Sequence, residues 1–94
     1  MPPKYRNKNT ERLANGHRVR SLSGVARQGA RRLVALQAAT SLEDLRSQNG
    51  NRQEAFKGER AGQYSIRIND QYRICFEWPD SEREPFNIEI VDYH

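Results

Sequence analysis

The chain has 94 residues, a net charge of +4 and 35% hydrophobic residues. No apolar run approaches the roughly 20 residues that a membrane-spanning helix needs, and the first residues lack the apolar stretch of a secretory signal. A single cysteine, Cys75, excludes an internal disulfide and fits a reducing compartment. We therefore expect residues 1–94 to form one soluble domain in the cytoplasm.

Basic residues concentrate in the first half of the chain. Residues 1–46 hold ten basic and three acidic side chains, a net of +7, whereas residues 47–94 hold six basic and nine acidic ones, a net of −3. The asymmetry favours a surface that meets a polyanion, because the arginines that dominate the basic set match phosphate geometry. A solvated helix face that keeps the protein soluble is the alternative.

The first half of the chain predicts helices. Residues 8–16 can form a short helix that ends at Gly16. A second helix, capped by Ser21 or Ser23, is predicted by an apolar stripe at spacings of three and four: Leu22, Ala26, Gly29, Leu33 and Leu36. Gly29 weakens this helix by about 1 kcal/mol relative to Ala unless a close packing contact requires it.

A third, shorter helix is predicted after Ala39. Thr40 and Glu43 have the spacing of a capping box, and Leu42 and Leu45 can dock inward. The arginines of the second helix fall mostly outside its apolar stripe, so that helix is basic outside and apolar inside: Arg27, Arg31 and Arg32.

After a loop at residues 47–53, the hydrophobic period becomes two. Residues 63–68, 72–78 and 86–93 alternate apolar and polar side chains and predict antiparallel strands, and residues 52–56 are a candidate for a further strand. The sequence therefore predicts an α+β fold. Its sheet is an antiparallel meander of three to five strands, with two or three N-terminal helices packed on one face.

Side chains that bind phosphate or transfer protons are predicted to meet at one end of this sheet. Arg73 lies mid-strand, on the face opposite the apolar row, and Lys57 and Arg67 lie before and on the preceding strand. Strand 86–93 can lie beside 72–78, which brings three more groups to the end of the Arg73 strand: Asp92, Tyr93 and His94. Cations and proton-transfer groups together suit RNA cleavage through the 2′-hydroxyl.

Each of these residues also has an ordinary structural explanation. Arg73 can be a surface strand residue, Tyr93 can pack on the sheet, Asp92 can pair with an arginine, and His94 can be solvent-exposed. A metal site is not expected, since His17 and His94 have no partners at ligand spacing and Cys75 stands alone. The sequence predicts no cofactor.

Two runs, "KGERAGQYSIRINDQYRICFEW" (57–78) and "EIVDYH" (89–94), resemble the HigB toxins of the RelE/ParE superfamily. The similarity extends back through most of the chain. It implies a RelE-like fold and a toxin of a bacterial type II toxin–antitoxin pair, neutralised by a HigA-like helix-turn-helix protein that also links it to operator DNA. It further implies ribosome-dependent, metal-independent cleavage of mRNA in the A site.

The resemblance also implies roles for individual residues. Lys57 and Arg73 match the lysine and arginine expected to hold the scissile phosphate. Asp92, Tyr93 and His94 match the C-terminal trio of the family, with His94 favoured for proton transfer. Arg67 is a supporting residue, because some relatives carry the basic residue nearer the turn. The arginines of the second helix would contact ribosomal RNA.

Some features depart from the family pattern. Relatives usually open with a short apolar strand, but Pro2 and Pro3 stand here, so any first strand should be short and at an edge. Two other functions stay open: a ParE-like toxin that inhibits DNA gyrase without cleaving RNA, and a degenerate toxin that acts only in a complex with antitoxin and operator.

Overall fold

The computed structural model describes residues 3–48, 56–60, 62–79 and 81–92, with the backbone alone described for 48 and 56–60. The helices are α1 Lys8–Ala14, α2 Ala26–Ala38 and α3 Leu42–Gln48, and a single 3₁₀ turn, Arg20–Leu22, precedes α2. The strands are β1 Phe56–Arg60, β2 Gln63–Arg67, β3 Tyr72–Glu77 and β4 Phe86–Asp92. No helix in the described ranges is long and apolar enough to cross a membrane.

The four strands form one antiparallel sheet in the order β1-β2-β3-β4. This meander, preceded by three helices, confirms the predicted α+β fold. The three strands predicted from alternation are β2, β3 and β4. Of the candidate strand 52–56, residues 52–55 lie outside the described residues, and Phe56 begins β1.

The apolar stripe of α2 packs against one face of the sheet, as predicted. Leu33 and Leu36 are fully buried in the core that also contains Ile66, Ile74 and Ile88. A β-carbon on Gly29 would lie 3.3 Å from Leu13 Cδ2 and 3.5 Å from Ile90 Cδ1. A close packing contact therefore explains the glycine inside this helix.

Helix α1 is fixed at both ends and to the sheet. The Asn7 side chain accepts a hydrogen bond from Thr10 N (2.9 Å) and caps the start. Gly16, with φ of 86°, ends the helix in a Schellman turn, since its N–H donates to Leu13 O and His17 N donates to Arg12 O. The predicted end at Gly16 is confirmed.

The predicted caps of the other two helices are wrong in detail. α2 starts after Val25 with no side-chain cap, because Ser21 belongs to the 3₁₀ turn and the chain turns once more before the helix begins. At α3 the Ser41 hydroxyl accepts from Asp44 N (3.0 Å), and Thr40 N donates to the Asp44 carboxylate (3.2 Å). The capping pattern lies one residue later than predicted.

The N-terminal segment extends the sheet along the outer edge of β4. Tyr5 makes a single parallel bridge to Ile88, and Asn87 N donates to Pro3 O (2.9 Å). At this point β4 contains a bulge opposite β3, and Asn87 adopts a positive φ of 52°. This pairing is short and at an edge, as the prolines predicted.

Candidate active site

The sheet face that points away from the helices carries two arginines side by side. Ile66 and Ile74 are buried in the core, so their neighbours Arg67 and Arg73 lie on the opposite face because side chains alternate along a strand. Arg67 and Arg73 are directly paired in the β2–β3 register. Two like charges in such a pair repel each other unless nearby oxygens or a bound anion compensate.

Each arginine is oriented by oxygen atoms close to it. Arg73 Nε donates to the hydroxyl of Ser65 (3.1 Å), and Ser65 is completely buried. Arg67 Nε donates to Asn69 O (3.3 Å), and its guanidinium also forms an ion pair with Asp70 in the β2–β3 turn. Hydrogen bonds of this kind hold the guanidinium groups in fixed orientations.

The end of β4 lies beside this arginine pair. Asp92 is paired with Tyr72 in the β3–β4 register, and Val91 with Arg73. Gln71 Nε2 donates to the exposed carboxylate of Asp92 (3.2 Å). β4 thus runs beside the Arg73 strand, with Val91 next to Arg73 and Asp92 on the sheet face that carries Tyr72 and Ile90. The catalytic role of Asp92 stays a prediction.

The β2–β3 turn that supports this region is held by one side chain. Asn69 Oδ1 accepts from the backbone N–H groups of Gln71 and Tyr72, both at 2.8 Å. An Asn-Asp pair between two strands favours such a turn, because the short side chain hydrogen-bonds to the backbone two or three residues on. It fixes the position of Gln71, and hence of the hydrogen bond to Asp92.

Three of the predicted site residues are only partly described or not described. The backbone of Lys57 is paired with Ser65 across β1 and β2, one strand from Arg73. Tyr93 and His94 lie outside the described residues and directly follow Asp92 in the chain. Their predicted roles stay predictions.

The arginines of α2 belong to a different surface. Arg27 and Arg31 are exposed and Arg32 is half-buried. Gly29 on the same helix packs toward Ile90 and Ile68 on the core face of the sheet. The structure therefore does not bring these three arginines together with Arg67 and Arg73, which lie on the other face.

Charge divides along the open face of the sheet. At the end away from Asp92, a shallow pocket of about 210 Å³ is lined in part by Glu77 and Glu89. Asn87 Nδ2 donates to Glu77 (3.1 Å), and Arg6 Nε lies 3.9 Å from Glu89. The arginine pair thus marks one end of the face as the more favourable position for an anion.

The pattern of residues did not single out Ser65 or Gln71. Alternation placed Ser65 on the Arg67 face, but a serine in a strand carries no signal of its own; the contact depends on the β2–β3 register. Within the described ranges, no group of three or more His, Cys, Asp or Glu side chains has an arrangement that could hold a metal ion.

Comparison with known proteins identifies the family. A family model described as the RelE-like toxin of the type II toxin–antitoxin system HigB matches residues 4–94. The chain belongs to the HigB-like toxin family. It is also similar to Toxin HigB-1 of Vibrio cholerae serotype O1 (strain ATCC 39315 / El Tor Inaba N16961), with 48% identity over 50 residues. That alignment covers 53% of each chain, so it spans about half the length of this HigB relative.

Proposed function

We propose that this HigB-family chain is the toxin of a type II toxin–antitoxin pair and cleaves messenger RNA in the ribosomal A site. The observation that carries the proposal is the register of β2, β3 and β4. It pairs Arg67 with Arg73 and Arg73 with Val91, so the end of β4 that leads to His94 runs beside two cations. The family match over residues 4–94 supports the same conclusion.

The proposed reaction is an attack of the RNA 2′-oxygen on the adjacent phosphorus. A bond forms between the 2′-oxygen and phosphorus while the bond from phosphorus to the 5′-oxygen breaks. One of His94 and Asp92 accepts the proton of the 2′-hydroxyl as the general base, and the other, in its protonated form, donates a proton to the leaving 5′-oxygen as the general acid. The products are a 2′,3′-cyclic phosphate and a free 5′-hydroxyl.

The cations act on the phosphate. Arg73 and Lys57 stabilise the charge that builds up on the non-bridging oxygens, and fixed donors are effective because they need little reorganisation during the reaction. Arg67 supports them from the paired position on β2. Tyr93 stacks on a base of the single-stranded message. No metal ion takes part in this mechanism.

The proposed partners follow from the family. A HigA-like helix-turn-helix antitoxin neutralises the toxin and carries it to operator DNA. Three arginines of α2 contact ribosomal RNA from the other side of the sheet: Arg27, Arg31 and Arg32. The toxin acts in the cytoplasm. Each phosphate contact adds a salt-dependent contribution to binding.

The test is cleavage of an mRNA on purified ribosomes, with the 5′ ends of the products mapped. His94→Ala should lower the cleavage rate by about 10²–10⁴-fold, the usual contribution of a general acid or base. Arg73→Ala should lower it similarly. Arg83→Ala is the control, since Arg83 is exposed in the β3–β4 loop and lies outside the proposed site.

The chemistry of the products tests the mechanism separately. A 5′-hydroxyl can be phosphorylated directly by a kinase, whereas a 5′-phosphate cannot, so direct labelling is expected. Full activity of His94→Ala would refute the role of His94. Growth arrest with intact mRNA and DNA damage would refute the nuclease and favour gyrase inhibition instead.

A further inference from the structure

A groove lined by arginines lies between α1 and the segment that leads into α2. Its volume is about 520 Å³. Six residues line it: Asn9, Arg12, Arg18, Val19, Arg20 and Ser21. None of these arginines belongs to the site on the sheet or to the arginines of α2, so the groove has no role in the function proposed above.

The two walls of the groove are held together. Asn9 Nδ2 donates to the hydroxyl of Ser21 (3.4 Å), which links α1 to the 3₁₀ turn. Val19 is buried and anchors the connecting segment in the core. The three arginine side chains therefore extend from a backbone that is fixed on both sides of the groove.

The groove is strongly cationic. Arg12, Arg18 and Arg20 are all exposed, and none of them forms an ion pair with an acid in the described part of the chain. The other lining residues are neutral. Three positive charges with no carboxylate among the lining residues favour an anion that presents several charges at intervals, because a single small anion cannot contact all three.

The groove is separate from the arginine pair on the open face. Leu13, next to Arg12 on α1, packs close to Gly29 of α2, on the core side of the sheet. Arg67 and Arg73 lie on the other face. An RNA strand in the candidate active site would therefore have to continue around the molecule, or a second part of a folded RNA would have to reach the groove.

We propose that this groove binds the phosphodiester backbone of folded RNA at a distance from the bond that is cleaved. Guanidinium groups bind phosphate through two parallel N–H donors, and the walls add the amide of Asn9 and the hydroxyl of Ser21 as neutral partners. The choice of RNA over other polyanions rests on the function proposed above. The groove itself recognises phosphates rather than bases.

The test measures binding of a fluorescent RNA hairpin whose 2′-hydroxyls are all methylated. Such a probe cannot undergo 2′-hydroxyl attack, so binding is measured independently of cleavage. The groove variant is Arg12→Gln, Arg18→Gln and Arg20→Gln. The control variant is Lys4→Gln, Arg6→Gln and Arg83→Gln, which lowers the net charge by the same amount at residues outside the groove.

The groove variant should bind the hairpin at least tenfold more weakly than the native chain. Its slope of log Kd against log salt should fall by about 2–3, since each of three phosphate contacts contributes roughly 0.7 in a single strand and 0.9 in a duplex. The control variant should bind within about threefold of the native chain. Trp78 fluorescence during thermal unfolding should show that both variants fold.

Equal weakening of the two variants would overturn the proposal, because net charge alone would then explain binding. Unchanged binding by the groove variant would also overturn it, as would equally effective displacement of the hairpin by poly-glutamate of the same charge. A chain that binds the probe through the groove but cleaves no mRNA would refute the nuclease and leave the groove standing. A chain that cleaves mRNA but does not bind the probe through the groove would refute the groove proposal and leave the nuclease standing.

Discussion

Ser65 is completely buried although it lies on the sheet face that carries Arg67 and Arg73. Its hydroxyl accepts the hydrogen bond from Arg73 Nε at 3.1 Å, and Lys57 is paired with it from the other side. Ser65 thus lies between the two residues that are proposed to hold the phosphate. Its proposed role is to position Arg73, without contacting RNA itself.

Ser65→Ala should therefore lower cleavage by about tenfold, because a hydrogen bond to a charged group contributes about 1.5–3 kcal/mol and part of it is replaced by water. Ser65→Thr restores a hydroxyl and should recover most of the activity. The measurement is the rate of mRNA cleavage, with the thermal midpoint followed in parallel. A fully active Ser65→Ala chain would contradict the positioning role, as would a loss of activity that Ser65→Thr does not reverse.

Helix α1 and strand β4 are joined by a buried polar contact. Thr10 is buried, and its hydroxyl accepts a hydrogen bond from Ile90 N at 3.0 Å. Nearby on the same edge, Arg6 N donates to Ile88 O as part of the short N-terminal pairing. Thr10 therefore satisfies a backbone donor that the N-terminal segment does not reach.

Thr10→Val should lower the free energy of unfolding by about 1–3 kcal/mol, since it preserves the volume of the side chain and leaves a buried N–H without an acceptor. Thr40→Val makes the same chemical change at an exposed position and should alter stability by less than about 0.5 kcal/mol. Urea unfolding followed by Trp78 fluorescence measures both. Equal stability of the two variants would show that the contact with Ile90 contributes nothing.

The strands and the buried face of α2 could be predicted from the sequence, whereas the helix caps and the polar contacts between elements could not. Periodicity predicted β2, β3, β4 and the buried stripe of α2, because burial of one face imposes a repeat along the chain. The caps at Ser41 and Val25 were missed, since adjacent serines and threonines are equally suited to capping until the neighbouring turn is known. The Thr10 and Ser65 contacts join residues on different elements. A lone polar residue produces no periodic pattern in the sequence, so these contacts could not be predicted.

The same limit applies to the site. Alternation placed Arg73 on the open face, and the order of strands placed the end of β4 beside the Arg73 strand, so both were predictable. The direct pairing of Arg67 with Arg73 depends on the length of the β2–β3 turn, and a shift of one residue would have put one of them in the core. Roles for Lys57 and His94 came from the family resemblance instead.

Across the whole molecule, the two termini of β4 face different surroundings. Its first part binds the N-terminal segment, where Asn87 N donates to Pro3 O, and near its other end Val91 lies beside Arg73 of the arginine pair. Asp92 lies five positions after Asn87, which is roughly 17 Å at about 3.4 Å per strand residue. Groups attached at the N-terminal side therefore lie far from the proposed site.

A fusion attached directly after His94 should weaken mRNA cleavage, because it places added chain next to the group proposed to move the proton and beside the phosphate-binding arginines. The same fusion placed before Met1 is the matched control and should leave cleavage within about threefold, since the N-terminal segment pairs at the opposite end of β4. A protease site between His94 and the fusion lets the added chain be removed, and removal should restore activity. Undiminished cleavage by the C-terminal fusion would contradict a site at this end of the strand. Equal losses from both fusions would show that added chain at either terminus hinders binding to the ribosome, so the effect would not report on the site.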